Sequence, residues 1–300
     1  TSNFNIALAL AAICAMSQSF LPASTQIWSP SLIPPLMLIY LYCIFQIIKK
    51  PKDSLFIMLG LSTVLVLESE VAFGLSLIFS TILFLIYIRK KVKVKSVFLI
   101  LIPVFVVILP RVLFELRNEF LMTNSALNYL KEPKVSQDTL TLLETILNRI
   151  ELFFHIFTQT FSQTSPTKGA VSFLLLLATA IIVFPKVKAD PFLKSLLIIL
   201  FGIYVFFVFY PDAVWDYYLY GVPVLLICLS AVVLSKLSIK GFKFYTLLAA
   251  LVALGFFPNI KSQFSITWEG DGAIYKNEVA VLESIKDQLQ GDYSLYVYSP

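Results

Sequence analysis

Residues 96–120 read "SVFLILIPVFVVILPRVLFELRNEF", and the fold turns on how this stretch is taken. Its first fifteen residues carry no charge, and then Arg111, Glu115, Arg117, Asn118 and Glu119 crowd into nine positions. An uncharged run of this kind suits a hydrocarbon core of about 30 Å, which about 17–25 apolar residues span. The charges that follow mark where the chain leaves it. The same grammar recurs along the chain, which is 58% hydrophobic and only 14% charged, with a mean hydropathy of +0.86. Soluble domains hold about 45–50% apolar and about 25% charged residues. The composition therefore describes an all-α polytopic membrane protein.

Nine spans are expected, at residues 5–21, 30–48, 54–69, 70–88, 96–110, 169–185, 192–210, 217–234 and 242–258. Basic clusters separate alternate pairs: "KKPK" at 49–52, "RKKVKVK" at 89–95, "KVKADPFLK" at 186–194 and "SKLSIKGFK" at 235–243. These hold fourteen of the 23 Lys and Arg, while only Asp53 and Asp190 of the 18 acidic residues lie in or beside them. Lys and Arg in short loops mark the cytoplasmic side. The reading is thus a multi-pass protein of the plasma (cell) membrane whose residue 1 is cytoplasmic. The loop 111–168 and everything after Pro258 are expected to be extracytoplasmic. The net charge of +5 is a matter of topology and does not point to nucleic acid.

Within the loop 111–168, Leu143, Ile146, Leu147, Ile150, Phe153, Phe154, Phe157 and Phe161 recur at helical spacing. Glu144, Asn148, Arg149, Glu151, His155 and Gln159 fill the other side, a pattern that predicts a helix lying in the membrane interface. Asp138 is placed to cap its start. His155, the only histidine, sits on the polar face and reads as solvated; one histidine makes no metal site by itself. After "FFPNI" the composition turns polar. The pattern divides the chain into a transmembrane domain at 1–258 and the start of a small α/β soluble unit at 259–300. Starting on Thr1 and stopping at "YVYSP", the sequence reads as a fragment with chain missing at both ends.

Chemistry has few places to sit. Cys14, Cys43 and Cys228 lie inside apolar runs and read as packed small hydrophobes. No phosphate-cradling glycine loop, zinc-protease motif or nucleophile elbow occurs, which argues against nucleotide chemistry. Charges at membrane depth remain. Glu68 and Glu70 follow Lys52 by a helix too short to cross, about 24 Å at 1.5 Å per residue. They sit at the tip of a helical hairpin, either facing a watery cavity, as intramembrane acids usually do, or marking a surface turn. Arg111, Glu115 and Glu119 fall at i, i+4 and i+8. An Arg111–Glu115 pair that merely anchors the helix is one reading. The other gives Arg111 or Arg117 a lipid-linked phosphate, which the planar guanidinium fork suits. "WDYYLY" at 215–220, with Asp216, Tyr217 and Tyr218, joins an aromatic belt to an acid, and Trp28 opens the second span.

Four segments, in order, resemble the integral-membrane GT-C glycosyltransferases, particularly the family 39 type that includes the protein mannosyltransferases. "IWSPSLIPPLMLIYLY" resembles that family's "R-x-x-W-N-P-S-L-x-P" span, with Gln26 and Ser29 at positions where Arg-like and Asn residues are common. "LGLSTVLVLESEVAFG" resembles its "LGLxxGLALQxHxxxG" hairpin, with Glu68 or Glu70 near the polar position. "PRVLFELRNEFLMTNSALNYL" resembles "P-x-x-x-F-E-L-R-H-x-F-x-x-T". "WDYYLYGVPVLL" resembles "x-H-Y-x-L-P-x-L-P", with Tyr217 in place of the His.

The resemblance implies an enzyme that moves a sugar from a polyprenyl-phosphate donor to a lipid, glycan or protein acceptor at the outer membrane face, with inversion. An acid takes the acceptor proton and cations stabilise the departing phosphate. It also implies that the chief acid lies upstream of this fragment, which would then be inactive alone. Glu68 and Glu70 stand as catalytic candidates and Arg111 and Arg117 as donor-phosphate ligands. Glu115, Asp216, Tyr217, Tyr218 and Trp28 are supporting residues. Membrane lipids are the surrounding partner, no cofactor is identified, and the need for a divalent cation is left open. A polysaccharide polymerase acting through arginines in large outer loops, and a polytopic transporter or flippase, are the competing classes. The transporter predicts internal repeats and broken helices, which the sequence does not clearly show.

Overall fold

The computed structural model describes residues 29–131, 141–161, 190–210 and 213–235, with isolated positions at 11, 20, 174, 177 and 181. All belong to one compact unit, Thr1–Asn259. The spans expected at 5–21, 169–185 and 242–258 lie outside the described residues, as do Trp28, Asp138 and the soluble unit at 259–300.

A short 3-10 turn, Ser29–Leu32, leads into α1, Ile33–Lys49. Pro34 and Pro35 occupy its first turn, where the missing N–H has no intrahelical partner to lose. Two lysines and a proline separate α1 from α2, Asp53–Ser69, and Glu70 alone separates α2 from α3, Val71–Ile88. A basic turn leads through the short α4, Val94–Phe98, into α5, Leu101–Arg117. Then come α6, Leu121–Lys131, and α7, Leu142–Phe161. The described bundle closes with α8, Pro191–Val208, a 3-10 turn at Asp216–Leu219 and α9, Val222–Ser235. No strand occurs among the described residues.

Five segments are long and apolar enough to cross a bilayer: Ser29–Lys49, Val71–Ile88, Val94–Arg117, Pro191–Val208 and Asp216–Ser235. Each matches an expected span. The remaining expected span in the described region, α2, is a 17-residue helix, roughly 25 Å long. That is a few ångströms under a hydrocarbon core of about 30 Å, in line with the short helix expected up to Glu68. One boundary moves. The span expected to end at Pro110 continues unbroken to Arg117 with Pro110 inside it. Proline removes only one intrahelical bond there. Arg111 and Glu115 therefore ride on the spanning helix itself.

The core lies among α1, α3, α8 and α9, with Met37, Tyr40, Phe73, Leu77, Phe84, Leu196, Ile203 and Phe207 fully buried. Ser76, Ser80, Thr81 and Ser195 are buried with them, and their hydroxyls donate to carbonyls three or four residues earlier in their own helices. Small side chains of this kind let membrane helices approach closely. Tyr40 Oη and Thr81 Oγ1, 2.9 Å apart, link α1 to α3. Outside, Leu38, Leu75, Ile82, Phe105, Val106 and Phe201 are exposed, an apolar surface far too extensive for water. Of all α5, only Pro103 and Glu115 are buried.

The amphipathic α7 exists, with two corrections. Its cap is Thr141: the Thr141 amide donates to Glu144 Oε2 at 2.7 Å and the Glu144 amide to Thr141 Oγ1 at 3.3 Å, a reciprocal capping box. Its apolar side is also too wide for lipid alone. Leu143, Leu147, Ile150 and Phe154 are exposed, the stripe an interface would take up. Phe153 instead stacks edge-on against Tyr204 of α8, and Tyr204 Oη donates to the Ile146 carbonyl at 3.1 Å. Arg149, expected on the solvated face, donates through Nε to the Phe207 carbonyl at 3.0 Å. A cation there adds a second donor to a carbonyl that already accepts from the Tyr210 amide, and opposes the helix dipole at the end of α8. His155 is exposed, and its ring bonds locally with Gln159 at 2.8 Å.

Lysines gather at one end of the bundle, where a cavity between the ends of α1 and α3 and the start of α8 is lined by Lys90 and Lys91. Glu68, Glu70 and Arg111 gather at the other. The lysine distribution is what made the first end the one expected to be cytoplasmic. Reporter tags after Lys52 and Lys93 are expected to read cytoplasmic and a tag at Lys134 external. An external signal at either of the first two would contradict this orientation.

Candidate functional site

Close approach builds the acid-rich end. A β-carbon on Gly74, in the first turn of α3, would run into the Leu67 backbone of α2. With no β-carbon in the way, α2 and α3 touch directly beneath Glu68 and Glu70. A β-carbon at Gly221 would strike the Phe73 ring and come within 2.9 Å of Met37 Cγ. That contact seats the Asp216–Leu219 turn on the start of α3.

Arg111 Nη2 donates to Glu68 Oε2 at 2.9 Å, the one salt bridge among the described residues. It joins α5 to α2 across 43 residues of sequence. The guanidinium side chain stays 40% exposed and the Glu68 side chain 29% exposed. Glu68 Oε1 is shielded from solvent and has no hydrogen-bond partner among the described residues. The site thus holds an arginine with donors to spare and a carboxylate oxygen with unused acceptor capacity.

Glu70 caps α3, its Oε1 accepting from the Ala72 amide at 3.3 Å. Tyr217 and Tyr218 lie within electrostatic reach of its carboxylate. Their rings meet edge-on, 4.6 Å apart, and Tyr210 packs against Tyr218 at 6.1 Å. Asp216 is exposed at the first position of the same turn, so the tyrosines rather than Asp216 face Glu70. Partial burial pushes the Glu70 carboxyl above its ordinary range, against the smaller opposing pull of the Ala72 hydrogen bond. A carboxyl so raised is destabilised by ionisation, and the stability it contributes when protonated is lost as pH rises through its folded value. Glu70→Gln keeps a capping oxygen and removes the charge. It should therefore raise the melting temperature above neutral pH and have no effect below the ordinary carboxylate range. An unchanged difference across that window would contradict the assignment.

Glu115 is not Arg111's partner. Its carboxylate accepts from the Met122 amide at 3.0 Å, from the Thr123 amide at 2.9 Å and from the Thr123 hydroxyl. It caps α6 from the preceding helix. The turn that allows this puts Glu119 and Phe120 at φ of 52° and 60°. Two consecutive non-glycine residues in that region cost about 1–2 kcal/mol each. With three hydrogen bonds from α6, the carboxylate has little left for the arginine. Arg117 is exposed and forms no ion pair among the described residues. The structure therefore gathers Arg111, Glu68, Glu70, Tyr217 and Tyr218 at one end, and assigns Glu115 a capping role. Met122 and Thr123, which the sequence did not single out, are the residues that fix it. No cluster of three or more candidate metal ligands occurs among the described residues.

Comparison with known protein families, curated proteins and solved structures found no match to the chain. What stands is a helical, multi-pass membrane protein.

Proposed function

We propose that the protein is a membrane glycosyltransferase that moves a sugar from a polyprenyl-phosphate donor to an acceptor at the extracytoplasmic face, with inversion. The observation that carries this reading is the Arg111–Glu68 pair. It links two of the four segments on which the family resemblance rests, at the end of the bundle opposite the lysines.

The donor phosphate lies at headgroup height, where α5 delivers Arg111. Glu68 holds one guanidinium nitrogen and leaves the others to the phosphate. As the sugar–phosphate bond breaks, negative charge grows on the leaving phosphate, and a fixed cation beside it lowers the barrier. Arg is suited to this by its fork of parallel donors. Glu70, whose carboxyl partial burial pushes above its ordinary range, is the acid that takes up the acceptor proton. The aromatic faces of Tyr217 and Tyr218 complete the wall beside it.

The test is transfer itself. Membranes holding the intact protein are supplied with a radiolabelled polyprenyl-phosphate hexose, and label is followed into lipid, glycan and protein fractions. Incorporation that depends on the protein supports the reading. Its absence with every donor sugar tried, where a family enzyme run in parallel is active, would overturn it.

A further inference from the structure

At the opposite end of the bundle, about 190 Å³ of open space lies between Ile47 and Ile48 of α1, Tyr87 and Ile88 of α3, and Pro191 of α8. Lys90, Lys91 and Val92 close its rim. Its floor is apolar, with Ile47 and Ile88 almost fully buried. Both lysines are exposed, and neither forms an ion pair with a described residue. The turn that carries them is fixed by backbone bonds from Arg89 to Ile86 and from Lys91 to Ile88. Asp190, the acid that precedes Pro191, has its Oδ1 engaged by the Phe192 and Leu193 amides at the start of α8.

We infer that this recess is a binding site for one anionic phospholipid of the leaflet at the lysine-rich end. The phosphate rests on Lys90 and Lys91, and the first part of an acyl chain enters between Ile47 and Ile88. The volume is below the roughly 300–1,000 Å³ of a drug-sized site, so it suits a segment of chain rather than a whole soluble molecule. Its position, where three helices end in a basic turn, puts the lysines at headgroup height and the isoleucines at acyl depth. Basic pockets between helices on the cytoplasmic side hold anionic headgroups for the same reason. Tyr87, exposed and among the lining residues, is of the kind that lies at that boundary. A lipid here would brace α1, α3 and α8 against one another from below and leave the acid-rich end untouched.

The experiment uses the intact protein in nanodiscs of phosphatidylcholine with a minor share of phosphatidylglycerol. Retained lipid is counted by native mass spectrometry after transfer to detergent. Wild type should keep one phosphatidylglycerol in preference to phosphatidylcholine. Each lysine near an anionic headgroup is worth roughly fivefold, so Lys90→Gln with Lys91→Gln should weaken retention about twenty-five-fold. Val92→Trp, which fills the recess and keeps both charges, should also weaken it. The control pair Lys93→Gln with Lys95→Gln lies on the same basic stretch outside the recess and should retain lipid as wild type does. Wild-type retention in either of the first two variants would overturn the inference. So would equal loss in the control pair, which would mean diffuse surface charge. Displacement by millimolar inorganic phosphate would also overturn it, by showing a site for free anion.

Discussion

Arg111→Ala should lower sugar transfer by about 10²–10³-fold, the usual loss when one charge-assisted contact to a transition state is removed. The protein should stay folded. The Arg111–Glu68 pair is partly exposed, and exposed pairs contribute about 0–1 kcal/mol to stability. Thermal melting would therefore move little while activity collapses, and this separation distinguishes a phosphate ligand from a helix anchor. Arg111→Lys should recover only part of the loss, because an ammonium keeps the charge without the fork. Arg117→Ala should cost far less, since Arg117 is exposed and outside the cluster. Near-normal turnover in Arg111→Ala, measured at saturating donor, would remove the arginine from the chemistry.

The second large effect is structural. Alanine is normally about 1 kcal/mol better than glycine in a helix, so Gly74→Ala should stabilise the protein if packing were indifferent. The added β-carbon would meet Leu67 backbone, with its nitrogen only 2.8 Å away. Backbone cannot rotate aside as a side chain can, so α2 and α3 must part. Overpacking of this kind costs about 1–3 kcal/mol, enough to reverse the propensity gain. The melting temperature should fall, and transfer activity should fall with it, because the same displacement carries Glu68 away from Arg111. A melting temperature at or above wild type would show that the hairpin tip is looser than the structure has it.

The helices were legible because membrane spans announce themselves twice, by apolar length and by the lysines that interrupt them. Both signals are local, and apolar length held for α1, α3, α5, α8 and α9. The short α2 was legible for the opposite reason, since the distance from Lys52 to Glu68 falls short of a bilayer. Pairing was another matter. From sequence alone Glu115, one turn from Arg111, is the natural partner. The structure gives Glu115 to Met122 and Thr123, which needs two left-handed residues that no glycine announced. Non-glycine residues adopt that conformation in only a few per cent of cases. With its neighbour occupied, Arg111 turns to Glu68, a contact that exists only because α5 packs beside α2. The interfacial helix shows the same limit. Its eight apolar positions named the helix but could not say that Phe153 and Ile146 meet Tyr204 while Leu143 and Leu147 face outward.

Whether Arg111 binds the phosphate of a polyprenyl carrier is open to direct measurement. Affinity of the purified, intact protein for a short-chain polyprenyl phosphate can be read by tryptophan quenching or calorimetry, without turnover. The account predicts saturable binding that weakens at least about tenfold in Arg111→Ala, the loss of one charge-assisted pair of hydrogen bonds. It predicts little change in Arg117→Ala. Equal affinity in wild type and Arg111→Ala would contradict it.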